Sequence, residues 1–215
     1  MKKEFERRIL SSLILLPLVL FFIIKGSYYF NFLISICLLI SFYEWHLMSK
    51  KKSLYILGFF FIFFSFYTSY LLRNNYEGYS TFMSILIICI STDVGGYIFG
   101  KIFKGPKLTK ISPKKTYAGM IGGVFLSIIS VNLYFILNDF NILNQPIYNS
   151  LNTLILIITI SCISQLGDIS ISYFKRRSKI KNTGKLIPGH GGILDRIDGM
   201  IFAFPSTFLI LKIIQ

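Results

Sequence analysis

Nine acidic residues occur among 215, and their positions say more than their number. Glu4, Glu6, Glu77 and Asp139 sit in flanks or loops between apolar runs. Glu44, Asp93 and Asp168 fall inside or at the ends of such runs. A carboxylate at mid-membrane depth costs on the order of 2.5–3.5 kcal/mol, less near the interface, so it is usually there for a partner or a function. Asp168, Ser172 and Lys175 are spaced i, i+4 and i+7. A helix through them puts a carboxylate, a hydroxyl and an ammonium on one face, with Arg176 at its flank. That order suits a metal ion at the carboxylate and phosphate oxygens at the cations. Taken alone, snorkelling cations beside one neutralised aspartate would read the same way.

The segment that follows, Lys185-Leu-Ile-Pro-Gly-His-Gly-Gly-Ile-Leu-Asp-Arg-Ile-Asp198, is unlike a plain connecting loop. Gly189, Gly191 and Gly192 permit backbone conformations closed to other residues and let main-chain N–H groups approach a phosphate. Asp195 and Asp198 are three apart and share a face if the last helix begins there. The chain leaves the membrane after Asp168 and returns near Asp195, so both carboxylates are expected at similar depth near one surface. Two carboxylates from different helices, beside basic groups and a glycine-rich turn, suit a hard divalent cation and a polyphosphate. His190 is read as a phosphate contact or a brace for the turn in preference to a proton carrier.

These residues must be positioned by membrane helices. Hydrophobic residues make up 53% of the chain and charged residues 15%, against roughly 25% charged in ordinary soluble domains. That excludes a typical cytosolic globule and a disordered chain. Apolar runs at about 9–24, 28–48, 54–72, 81–103, 119–138, 151–174 and 198–214 predict seven transmembrane helices. The fold class expected is therefore all-α, a polytopic integral membrane protein. It is read as one structural domain, with helices 1–3 over residues 1–80 and a catalytic membrane region over 81–215. Of 23 Lys and Arg, 20 fall on one side: before helix 1 and in the connections 2–3, 4–5 and 6–7. Positive charge stays in the cytoplasm, so the N-terminus and the basic connections are expected there. The net charge of +14 is then topology and lipid headgroup contact. No recognisable module points to a nucleic-acid partner.

Other conspicuous residues have plainer readings. Cys37, Cys89 and Cys162 follow no metal spacing and are expected as buried small apolar residues. Glu44-Trp45-His46 ends helix 2 at the interface, and Glu44 is read as an interfacial or packing residue. Gly96-xxx-Gly100 and Gly119-xxx-Gly123 permit close helix approach, and a homodimer is compatible with the sequence. No GxxxxGK[ST], HExxH or GxSxG occurs, which leaves P-loop, zincin and hydrolase chemistry unsupported.

Ser172-Tyr-Phe-Lys-Arg176, then Lys181, then Pro188-Gly-His-Gly-Gly-Ile-Leu-Asp-Arg-Ile-Asp198, resembles the signature of phosphatidate cytidylyltransferases. Asp93-Val-Gly-Gly-Tyr-Ile-Phe-Gly100 and Ser112-Pro-Lys-Lys-Thr116 are similar to two further segments of that family. The resemblance covers helices 4–7, and the N-terminal part matches in hydropathy only. It implies that CTP and phosphatidate give CDP-diacylglycerol and pyrophosphate, with Mg²⁺ as cofactor and a potassium ion beside it. By motif position it implies Asp168 and Asp195 as metal carboxylates with Ser172, and Lys175, Arg176 and His190 at the reacting phosphates. Asp93, Lys114, Lys115, Ser172, Gly189, Gly191, Gly192, Arg196 and Asp198 would shape the substrate site. The expected location is a bacterial cytoplasmic (inner) membrane, multi-pass, with the site facing the cytoplasm. The chain has Asn182 and Ala118 where the family carries acids. The rival readings are a CTP-dependent polyprenol kinase, a small transporter with intramembrane carboxylates, and an inactive relative.

Overall fold

Long apolar runs in a lipid phase must satisfy every backbone N–H and C=O internally, and the α-helix does so within one segment. The computed structural model describes residues 2–49, 54–74, 78–109, 111–138, 150–184, 186 and 191–214, and among these the side chains other than those of 2–12, 150 and 214. The elements of the described chain are helices, beside one isolated bridge between Lys107 and Thr116: α1 (Lys2–Lys25), α2 (Ser27–Ser49), α3 (Tyr55–Asn74), α4 (Tyr79–Phe103), α5 (Tyr117–Leu137), α6 (Ser150–Arg177) and α7 (Met200–Ile214). Helices α2 to α6 are long and apolar enough to cross a bilayer, and the protein is a multi-pass membrane protein. In α1 the described side chains begin at Leu13, and Leu13–Lys25 is apolar. Helix α7 has 15 residues, about 22 Å at 1.5 Å per residue, short of a hydrocarbon core of roughly 30 Å.

The last helix begins later than expected, at Met200 instead of 198. The Asp198 carboxylate takes the next amide, Gly199 N–H, at 2.9 Å. The Gly199 carbonyl then accepts from Phe202 and Ala203, which makes Gly199 the cap. Asp195 and Asp198 both precede α7, so the face they were expected to share on that helix does not form.

The chain divides into two compact units. One holds residues 1–70 and 173–197: α1, α2, most of α3, the end of α6 and the connection after it. Gly26, at φ +63, turns the chain between α1 and α2. Trp45 is buried and donates from Nε1 to the Tyr55 carbonyl at 3.0 Å. Its ring meets Phe174 edge-on, centroids 5.3 Å apart. A methyl at Gly58 would overlap the indole, so glycine there lets α3 lie against Trp45. The Ser178 hydroxyl donates to the Met48 carbonyl at 2.7 Å and ties the end of α6 to the end of α2.

The other unit holds residues 71–172 and 198–215. Its centre is a glycine seam between α4 and α5. A Cβ at Gly119 would stand 2.6 Å from the Gly96 carbonyl, and one at Gly95 2.7 Å from the Gly122 carbonyl. The two GxxxG segments thus face each other within the chain. Helix α6 joins through a buried hydroxyl pair, Thr92–Ser161 at 2.7 Å, and through Gln165, which donates to the Met120 carbonyl at 3.2 Å. Phe82 of α4 stacks on Phe204 of α7, centroids 5.0 Å apart. Cys89 is buried and Cys37 partly so, but Cys162 is exposed. The face of an apolar span needs only to be apolar, so the expected burial of all three cysteines does not hold.

Candidate active site

Between α4 and α5 the chain makes a short basic hairpin. Lys104 and Gly105 leave the helix at φ +52 and +95. The base is clipped by Leu108 N–H to the Lys115 carbonyl at 2.8 Å and by Tyr117 N–H to the Pro106 carbonyl at 3.2 Å. Within it, Lys115 N–H closes on the Ser112 carbonyl at 3.0 Å. Thr116 caps α5, its hydroxyl accepting from Gly119 N–H at 3.1 Å. Lys114 is exposed. The Lys115 ammonium is ion-paired with Oδ2 of Asp168.

Asp168 lies on α6, and its Oδ1 accepts from the Ser172 hydroxyl one turn on at 3.3 Å. Both side chains are partly exposed. A carboxylate and a hydroxyl on one helix face are hard oxygen donors of the kind Mg²⁺ takes. Among the described residues no three His, Cys, Asp or Glu side chains gather as a metal cluster. Mg²⁺ needs none, being held as a rule by one or two carboxylates together with substrate phosphates and water. Asp93 is exposed on α4, and Asp198 is buried.

The other unit carries Lys175 and Asp195. Lys175 Nζ lies 2.9 Å from Oδ1 of Asp195. Oδ2 accepts from Thr183 N–H at 2.8 Å and Gly192 N–H at 3.1 Å. Three of the roughly four acceptor positions of the carboxylate are therefore filled, and one is left on Oδ1. Burial alone would raise the pKa of Asp195. The Lys175 bond and charge and the two amides outweigh it and hold the carboxyl below the ordinary carboxylate value. Gly191, at φ +93, adopts a backbone closed to most side chains. The Gly192 amide, expected to face a phosphate, is directed to Asp195 instead. Arg176 and Arg196 are exposed. Gly189 and His190 lie outside the described residues.

Two residues stand out that the motifs do not mark. Glu44 is 1% exposed, and its two oxygens take the Thr183 hydroxyl and the amides of Ile193 and Leu194. Thr183, also buried, touches both carboxylates: its amide serves Asp195 and its hydroxyl Glu44. The signal available in the sequence was Glu44 itself, a carboxylate ending an apolar run.

Residues 49–214 match the Cytidylyltransferase family. The chain is similar to the phosphatidate cytidylyltransferase of Rickettsia bellii, 34% identical over 97% of this chain and 91% of that protein. It is similar to the Rickettsia conorii protein of the same name, 36% identical over 97% and 91%. The Staphylococcus saprophyticus phosphatidate cytidylyltransferase is 38% identical over 66% of this chain and 53% of its own length.

Proposed function

Because the chain belongs to the cytidylyltransferase family, we propose that it joins CTP to phosphatidate, releasing pyrophosphate and leaving CDP-diacylglycerol in the bilayer. The observation that carries this is the likeness to phosphatidate cytidylyltransferases along nearly the whole chain, both basic connections included. A lipid phosphate oxygen attacks the α-phosphorus of CTP; that P–O bond forms as the bond to pyrophosphate breaks. The phosphate is already ionised near neutral pH, so no side chain needs to remove a proton. The protein's work is positioning and charge neutralisation. Lys114 and Lys115 in one unit, and Lys175 and Arg176 at the end of α6, lower the repulsion between two polyanions. Arg176 also presents a fork suited to phosphate oxygens.

Asp168, Ser172 and Asp195 are the residues that would hold Mg²⁺, by their places in the motif. The ion, when bound, would neutralise CTP oxygens and favour departure of pyrophosphate. Lys115 and Lys175, paired with these carboxylates in the structure, keep them oriented. The location we favour is a bacterial cytoplasmic membrane, with the N-terminus and basic connections on the cytoplasmic side, where CTP is available. Phosphatidate then stays in the bilayer while its headgroup reacts.

The test is an assay of the purified protein with phosphatidate, Mg²⁺ and CTP labelled at either the α or the γ phosphorus. Label from the α position should enter the lipid, and label from the γ position should leave as pyrophosphate. Lipid labelled only from the γ position would make the protein a lipid kinase. No labelled lipid from either would end both readings.

A further inference from the structure

Glu44 lies on α2, ahead of the segment matched to the family, residues 49–214. It is a carboxylate with almost no solvent contact. Oε2 accepts the Thr183 hydroxyl at 2.7 Å and the Leu194 amide at 2.9 Å, and Oε1 accepts the Ile193 amide at 2.9 Å. Residues 193–197 form a helical turn, with the Ile193 carbonyl accepting from Arg196 and Ile197. The first amides of such a turn have no partner within it. Glu44 supplies that partner from a different helix. Charge-assisted bonds of this kind offset the desolvation of the carboxylate.

The space around the carboxylate is as restricted as its bonding. A Cβ at Gly184 would lie 2.6 Å from Oε1, and one at Gly192 would strike Oε2 and the Thr183 hydroxyl. Both ends of the stretch that contains Pro188-Gly-His-Gly-Gly are therefore seated against one side chain. Asp195 holds the same two ends through the amides of Thr183 and Gly192. The post itself is firm, because Trp45 is bonded to Tyr55 and Met48 to Ser178. A residue that only filled space at the membrane interface would not need two acceptor oxygens.

We infer that Glu44 is a positioning residue that holds Thr183–Gly184 and Gly192–Leu194 in the arrangement that receives CTP. The inference rests on the cytidylyltransferase reading for the identity of the nucleotide, but not for the contact. Glu44→Gln is the sharpest test. It is nearly isosteric, but its NH₂ must face either the Ile193 amide or the Leu194 amide and Thr183 hydroxyl, a donor against a donor. Hydrogen exchange of the full-length protein in detergent should show the amides of Ile193 and Leu194 opening about tenfold faster or more. In the turnover assay KM for CTP should rise about tenfold while KM for phosphatidate changes little. Glu44→Asp keeps two acceptor oxygens and should recover part of both losses. If Glu44→Gln does not fold, Thr183→Val and Thr183→Ser carry the test, the serine restoring what the valine loses. Wild-type exchange and wild-type KM for CTP in Glu44→Gln, or in Thr183→Val where that variant carries the test, would overturn the inference. Faster exchange in a protein whose wild type turns over no CTP would leave the Glu44 contact standing and overturn the nucleotide reading.

Discussion

Lys175 and Asp195 are twenty residues apart, yet Nζ of one lies 2.9 Å from Oδ1 of the other, with both side chains close to buried. The pair joins the last turn of α6 to the connection that follows it. An aspartate so placed takes one bond from a cation and two from backbone amides, so Asp195→Asn is not a mild change. The amide nitrogen of asparagine would face either the Lys175 ammonium or two N–H groups. Breaking a partly buried pair from one side leaves the other charge uncompensated. Turnover should fall on the order of 100-fold or more, measured as labelled lipid formed from α-labelled CTP.

The same carboxyl sets an expectation for pH. Its folded-state pKa is depressed, so its contribution to the connection is complete above the unfolded value near 3.9. That contribution is lost only as pH falls through the lower folded value. Trp45 is the single tryptophan of the chain and rests on Phe174, next to Lys175. Its emission should show no Asp195-linked step between about pH 5 and 9 and should change only below about pH 4. A step centred near pH 6 that disappears in Asp195→Asn would contradict the assigned surroundings.

Lys115 and Asp168 make a contrasting pair. Their side chains are 25% and 23% exposed, and partly solvated pairs contribute about 0–1 kcal/mol to stability. Lys115→Met should therefore leave the thermal unfolding midpoint in detergent nearly unchanged. Activity should still drop about tenfold or more, because the site loses one of the charges that offset two polyanions. A variant that loses activity only in step with its folded fraction would make Lys115 a structural residue.

The helices were legible because an apolar run of about 20 residues has few alternatives in lipid. The start of α7 was not, since Asp198 spends its carboxylate on the Gly199 amide and a run of apolar residues does not reveal that bond. Asp168 and Ser172 were legible as one face of a helix because i, i+4 spacing is local. Lys175 with Asp195 was not, because a loop separates them and loop closure follows no sequence period. Glu44 was visible as an acid at an apolar boundary. Its partners were hidden because two of the three are backbone amides, which every non-proline residue carries. Gly192 shows the same limit: the sequence marks a glycine, while the structure supplies the reason in the Glu44 carboxylate beside it.

The seam between α4 and α5 yields the clearest stability prediction. At Gly123 a Cβ would stand 2.7 Å from the Thr92 carbonyl, and at Gly95 2.7 Å from the Gly122 carbonyl. In each case the obstacle is backbone, which cannot rotate away as a side-chain end can. Gly123→Ala must push the helices apart and stretch the nearby Thr92–Ser161 bond that holds α6 to α4. Overpacking of this kind costs about 1–3 kcal/mol. The expected result is a lower unfolding midpoint for Gly95→Ala and Gly123→Ala in detergent. At Gly105, by contrast, nothing lies within 4 Å of an added Cβ, and only the backbone at φ +95 resists substitution. Gly105→Asn, a residue that tolerates positive φ better than most, should fall well short of the seam variants in its effect. Equal losses at all three positions would show that the close approach of α4 and α5 is not what requires glycine at the seam.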